Sequence, residues 1–204
     1  MRTLLPLIVL LVSAQAFAAT GRIFVSNERD DTVSVIDSAS NKVIKTIPIG
    51  KRPRGVGIAP DGSEVYVAIS GDNAIAVVDP ESMTVIRTFE SGDDPEAFAV
   101  HANGNIYISN EEDAKASVFN PKSGDLVAEI EVGIEPEGVA ISPDGKMAIV
   151  TSESTNMLHF IGIPEHTIVL TGSTKKGTRY TIICREEWSR RKKHIEAVTV
   201  FHEC

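Results

Sequence analysis

The sequence predicts an all-β fold, an arc of β-propeller blades of four strands each, with about four repeats of 41–42 residues. Three observations predict it. A phrase recurs at residues 49–62, 91–101 and 132–145: a Gly, then a Pro corner, then a run in which small residues alternate with larger ones. Two of the copies close on Pro-Asp-Gly, at 60–62 and 143–145, and the middle copy lacks that close. Two ladders keep the same step. Phe24, Tyr66, Tyr107 and Ile149 stand 42, 41 and 42 residues apart, as do Asp37, Asp79, Asn120 and Gly162. Between these landmarks lie short runs of β-branched and aromatic residues bounded by Gly, Pro, Asn and Asp, which read as strands and turns rather than helices.

In the first repeat the strand runs are Ile23-Phe24-Val25, Thr32-Val33-Ser34-Val35-Ile36 and Val43-Ile44-Lys45-Thr46-Ile47. A fourth strand follows each corner. Its small residues (Gly55 and Gly57; Ala97 and Ala99; Gly138 and Ala140) fall at alternate positions. Period-two alternation puts them on one face, which suits the innermost strand, where neighbouring sheets converge. Asp-Gly at 61–62 and 144–145 is a hairpin signal. Pro53, Pro95 and Pro136 fix φ and remove a donor where the chain turns a corner. Because the first repeat opens on its second strand, its inner strand has to come from elsewhere.

Residues 1–18 read as a secretory signal, with Arg2, an apolar run from Leu4 to Val12 and a small-x-small site at Ala16-Phe17-Ala18. The run is too short to span a bilayer. The expectation is therefore a bacterial periplasmic or secreted protein with no membrane span after cleavage. The repeats are assigned to residues 19–170, where 24 Asp and Glu face 11 Lys and Arg and no Cys occurs. That balance argues against nucleic acid as a partner and favours a basic one. Residues 171–204 differ: they hold eight Lys and Arg against four Glu, both cysteines (Cys184 and Cys204) and the one tryptophan, Trp188. The residue types depart from the repeat after about residue 161. Two readings stand side by side, a shifted reading frame or truncated gene and a diverged last blade with a basic tail.

Ile23-Phe24-Val25-Ser26-Asn27, Val65-Tyr66-Val67-Ala68 and Ile106-Tyr107-Ile108-Ser109-Asn110, with Thr32-Val33-Ser34-Val35-Ile36-Asp37, resemble the signature of YVTN-family β-propeller repeats. More narrowly, Arg52-Pro53-Arg54-Gly55, Asp94-Pro95-Glu96-Ala97-Phe98, Glu135-Pro136-Glu137-Gly138 and residues 151–157 are similar to the exported propellers associated with pyrroloquinoline-quinone-dependent alcohol oxidation. The resemblance implies a seven-bladed parent, about 290 residues at this period, of which this chain is a partial arc. It also implies a protein partner such as a periplasmic dehydrogenase. Quinoprotein dehydrogenases themselves have tryptophan-rich blades, and with no Trp before Trp188 no cofactor is expected on this polypeptide.

The corner loops of such repeats share one face with the loops between the second and third strands. This predicts a channel mouth formed by Arg52, Arg54, Asp94, Glu96, Glu135 and Glu137, with Asn27, Asp72, Asn110 and Glu153 near them, facing a small ionic ligand or a partner's loop. No catalytic residue and no metal ligand is expected. His101 and His159 lack ligand spacing, no Gly-x-Ser-x-Gly elbow surrounds a serine, and the acid pairs Asp30-Asp31, Asp93-Asp94 and Glu111-Glu112 lie in turns, where acids bond local backbone. The predicted function is an exported, non-enzymatic binding or scaffold protein. A propeller-fold enzyme of lactonase or lyase type and a surface or adhesion protein are the competing readings.

Overall fold

The computed structural model describes residues 21–177; the predicted signal, Cys184, Trp188 and Cys204 lie outside the described residues. Among the described residues, fifteen strands form four antiparallel sheets. The first sheet holds β1 (Arg22–Asn27), β2 (Thr32–Asp37) and β3 (Lys42–Pro48). The second holds β4 (Pro53–Ile58), β5 (Val65–Ile69), β6 (Ala74–Asp79) and β7 (Thr84–Glu90), and the third β8 (Pro95–Val100), β9 (Ile106–Asn110), β10 (Lys115–Asn120) and β11 (Asp125–Glu131). The fourth holds β12 (Pro136–Ile141), β13 (Met147–Ser152), β14 (Met157–Gly162) and β15 (Ile168–Ser173). Each full sheet runs in chain order from the corner strand outward, as consecutive hairpins dictate. Among the described residues the first sheet has no corner strand, as its opening on the second strand of a repeat predicts.

The sheets stand side by side and share cores. Val65, Val67 and Ile69 of β5 pack with Val33, Val35 and Ile47 of the first sheet. Their alternates Tyr66 and Ala68 pack with Ile106, Ile108 and Phe119 of the third. Tyr107, Ala116 and Val118 then pack with Ala148, Val150 and Ile161 of the fourth. Period two sends successive side chains to opposite faces, so a sheet with a neighbour on each side needs apolar residues at both sets of positions. This is why β5 reads Val-Tyr-Val-Ala-Ile without a polar residue. Among the described residues no sheet covers the outer face of the first, where Ile23 and Val25 are 47% and 41% exposed.

The turn residues do the work that their chemistry predicts. Asp37, Asp79 and Asn120 accept hydrogen bonds from backbone N–H groups two or three residues on: Ser40 at 2.7 Å, Ser82 at 2.7 Å and Lys122 at 3.0 Å. Pro-Asp-Gly closes its hairpin with a Gly62 N–H to Ala59 carbonyl bond of 2.8 Å. The middle repeat makes the same 2.8 Å closure from Gly104 to His101, so Asn103-Gly104 replaces the missing phrase.

Side-chain types depart from the repeat after residue 161, but the backbone does not. β15 pairs with β14 from Met157 to Ile161 and runs to Ser173, past the boundary expected at 170. The Thr174 N–H to Asn156 carbonyl bond, 2.8 Å, repeats those of Ile49 to Asp31, Ser91 to Asn73 and Val132 to Ala114. Gly177, with φ +78°, stands where Arg52, Asp94 and Glu135 stand in earlier repeats, also with positive φ. The register therefore continues through the described end.

The corner strands β4, β8 and β12 pack against one another in succession, which the small residues permit. A Cβ on Gly55 would lie 3.0 Å from the Glu96 carbonyl oxygen and 3.2 Å from Ala97 Cα, both backbone atoms that cannot move aside alone. Gly55→Ala is expected to lower the unfolding free energy by about 1–3 kcal/mol through overpacking, read from urea denaturation; an unchanged midpoint would show that β4 and β8 are not held this close.

Candidate functional site

Three corners present their charged residues in one way. Arg52, Asp94 and Glu135 each precede the corner proline with φ of 53°, 50° and 57°. That left-handed region is uncommon for residues with a side chain and persists only where neighbours hold it. Hydrogen bonds from the adjacent repeat hold it here. Arg52 N–H donates to Asp31 Oδ1 at 2.9 Å, and Asp94 N–H to Asn73 Oδ1 at 3.1 Å. The three carbonyls accept from Ser70, Glu111 and Glu153 N–H at 3.1, 2.9 and 2.8 Å. The turn acid Asp31 thus serves backbone bonding, as expected of acids in turns.

Four of the six predicted mouth residues meet directly. Arg54 is the hub: Nη1 donates to Glu28 Oε2 at 3.0 Å and Nη2 lies 2.5 Å from Glu96 Oε2, joining the first sheet to the third. Arg52 lies above it, with Nε 3.6 Å from Glu28 Oε1, Nη1 3.6 Å from Asp94 Oδ2 and Nη2 3.8 Å from Glu96 Oε1. Asp94 is also bonded by the Ser70 hydroxyl. Glu96 and Glu137 are buried, and the charge of Glu137 adds to the field at Arg54. Glu135 stands apart: its carboxylate accepts a bond from the Ser154 hydroxyl of its own repeat. Of the residues expected near the mouth, Asp72 accepts from Lys51 N–H at 2.9 Å, Asn27 binds Thr32 and Ser34, and Asn110 donates to the Ser91 carbonyl at 2.7 Å, so these three brace loops.

Two members escaped the sequence reading. Nothing in the spacing of the corner phrase marks Glu28, and Glu111 reads as a turn acid; carboxylate oxygens of Asp94, Glu96 and Glu111 all lie within 4.8 Å of one another. A signal existed. Glu28, Ser70, Glu111 and Glu153 form a third ladder with the 42, 41, 42 step, each directly after the second strand of its repeat.

Burial sharpens these charges. Desolvation works against the Arg54 guanidinium, but the hydrogen bond and charge of Glu96, with Glu28 and Glu137 adding, raise its pKa above the ordinary arginine range. Burial pushes the Glu111 carboxyl up to about 7, and the charges of Glu96 and Asp94 push the same way against the opposing pull of Arg54. His101 and His159 each bond backbone groups. His101 accepts from Asn103 N–H at Nδ1, which leaves Nε2 to donate to the Gly145 carbonyl at 2.9 Å. His159 Nε2 accepts from Gly133 N–H at 2.9 Å, and burial lowers its pKa, favouring that neutral form.

Residues 14–169, more than half of the chain, match the family model of the choice-of-anchor I domain. The chain belongs to this family. No curated protein matches it. Among solved structures, this choice-of-anchor I domain is similar to Kuenenia stuttgartiensis hydrazine synthase, with a TM-score of 0.71 and 23% identity over 76% of this chain and 46% of that one. It is also similar to a functionally unknown protein from Desulfotomaculum acetoxidans DSM 771, with a TM-score of 0.64 and 21% identity over 78% and 56% of the two chains. At these identities the likeness shows the fold alone. The domain spans about half the length of the structures it matches.

Removing Arg54 would leave the buried Glu96 without its close partner, with only Arg52 at 3.8 Å. Arg54→Ala is expected to cost about 3 kcal/mol, the lower end for a broken buried pair because Arg54 is partly exposed; chemical denaturation measures it, and a loss below about 1 kcal/mol would mean that solvent screens the pair. Glu111 sets a pH dependence. Its folded pKa, about 7, lies above the ordinary glutamate value of 4.5, so the folded state keeps a proton that the unfolded chain has released. Stability should fall as pH rises from 4.5 to about 7 and then level off as the folded group ionises. Thermal unfolding across that window checks the sign, and Glu111→Gln should flatten this part of the profile.

Proposed function

We propose that this choice-of-anchor I domain is an exported, non-enzymatic binding module whose charged mouth takes a small ionic ligand or a loop of a partner protein. The observation that carries the reading is the convergence of Arg52, Arg54, Asp94 and Glu96 with Glu28 and Glu111, from three repeats, at one end of the arc. Loops displayed by a rigid scaffold are where binding residues concentrate. The corners that carry these side chains are held in left-handed conformations by interrepeat hydrogen bonds, so the side chains are presented rather than left to wander. The resemblance to YVTN-repeat propellers of pyrroloquinoline-quinone-dependent alcohol oxidation supplies the partner class: a periplasmic quinoprotein dehydrogenase, to which this chain is an accessory. The acidic excess of residues 19–170 suits a basic surface on that partner.

The test is the affinity of the full chain for a purified periplasmic quinoprotein alcohol dehydrogenase, by biolayer interferometry at low and high salt. Binding should weaken with salt and fall about tenfold, about 1.4 kcal/mol, in Asp94→Asn; affinity indifferent to both would exclude the mouth as the contact.

One observation favours a second reading. A carboxyl with a pKa near 7, as Glu111 has, is suited to general acid–base work near neutral pH, as in a propeller-fold lactonase or lyase. Turnover on a panel of lactones that Glu111→Gln abolishes would favour that enzyme over the binding module.

A further inference from the structure

The two mouth arginines are held in different ways. Arg54 makes contacts of 3.0 and 2.5 Å. Arg52 touches three carboxylates at 3.6–3.8 Å, beyond hydrogen-bond distance. Its side chain is 47% exposed, so it sits in the field of the acids without being bonded to them. Beneath it, the Glu96 side chain is 3% exposed and its Oε1 is buried without a hydrogen-bond partner. Buried carboxylate oxygens ordinarily have donors, and this one faces the place that the Arg52 guanidinium only approaches.

Charge count points the same way. Glu28, Asp94, Glu96, Glu111 and Glu137 face Arg52 and Arg54. If Arg52 swings into solvent, Arg54 is left facing Glu28, Asp94, Glu96 and Glu137, with the Glu111 carboxyl, pushed up to about 7, beside them. Arg52 can do so by side-chain rotation alone, because its backbone is fixed by Asp31 Oδ1 and Ser70 N–H.

We propose that the mouth is a receptor for the side chain of an arginine on a partner's loop, and that Arg52 is a stand-in that occupies its place in the unbound chain. The inference rests on the reading of the mouth as a partner-binding surface, and it names the group recognised. A guanidinium fits the demand better than an ammonium, since its planar fork can bond Asp94 and Glu96 together at normal distances. Arg52 approaches Asp94 and Glu96 only to 3.6 and 3.8 Å in the unbound chain. The incoming arginine displaces Arg52 and supplies the donor that Glu96 Oε1 lacks.

The test titrates the full chain with the tripeptide acetyl-Gly-Arg-Gly-amide at low ionic strength, by NMR shift perturbation or calorimetry. Arg52→Ala is expected to bind it about tenfold more tightly than the parent chain, since the internal competitor is gone. Adding Asp94→Asn should reverse most of that gain, and the citrulline analogue, similar in shape but uncharged, should not bind. Arg52→Gln, which keeps most of the stem, replaces Arg52→Ala if circular dichroism shows that variant unfolded. Variants that bind the arginine peptide no better than the parent, or bind the citrulline peptide equally well, overturn the proposal. If they do so while dehydrogenase affinity still depends on Asp94, only the arginine assignment fails. If the peptide binds as expected while dehydrogenase affinity ignores Asp94, the partner reading fails instead.

Discussion

The structure depends on one constraint: a sheet with neighbours on both sides has no face left for water. β5 and β9 meet it with runs whose every residue is buried, unlike the apolar-in, polar-out alternation of a sheet with one wet face. The corner strands meet it differently. They converge near the axis, where side chains run out of room, and Gly55 and Gly57 lie so close to Glu96, Ala97 and Phe98 that a Cβ would collide. At the open face of the first sheet the constraint is unmet, and Ile23 and Val25 are exposed.

Convergence of the corner strands is also what makes the mouth. Loops that stand 42 residues apart in the chain are brought within a few ångströms, and charges that would be solvated on separate hairpins are partly buried together. Arg54 then bridges Glu28 of one sheet and Glu96 of another. Burial works against the charge of Arg54 and is outweighed by Glu96, Glu28 and Glu137, whereas at Glu111 burial and the charges of Glu96 and Asp94 act together and raise the carboxyl, because carboxylates packed this closely cannot all ionise freely. The mouth is thus a consequence of the packing of small residues on the strands beneath it.

The last repeat shows how little of this geometry requires the usual residue types. Gly162 stands where the ladder has Asp, and Lys175 where it has Gly, yet β15 pairs in register and Asn156 accepts from Thr174 and Gly177 as its counterparts accept from the earlier corners. Backbone N–H and carbonyl groups carry most of the register, and they are common to all residue types. The Asx side chain at 31, 73 and 156 adds a specific bond, which Ala114 omits in the third repeat, and Asp72, Asp113 and His159 add others at the neighbouring corner positions.

Much of the fold was legible in the chain alone. Ladders such as Tyr66–Tyr107 and Asp37–Asp79 reveal the repeat, Pro and Gly mark the corners, and the small alternate residues identify the inner strands, because period, turn chemistry and bulk are local properties. The candidate site was legible only in part. Repeat position placed Arg52, Arg54, Asp94 and Glu96 on one face. Position could not tell that Glu135 bonds Ser154 within its own repeat, that Glu28 and Glu111 join the cluster, or that Arg54 is bonded while Arg52 is merely near. Those distinctions are differences of about an ångström between groups in separate sheets, and side-chain rotamers and blade spacing decide them. The sequence by itself determined the repeat, the strands and the face that carries charge; only the tertiary packing decided which charges meet, because electrostatic contact depends on distances that no spacing along the chain encodes.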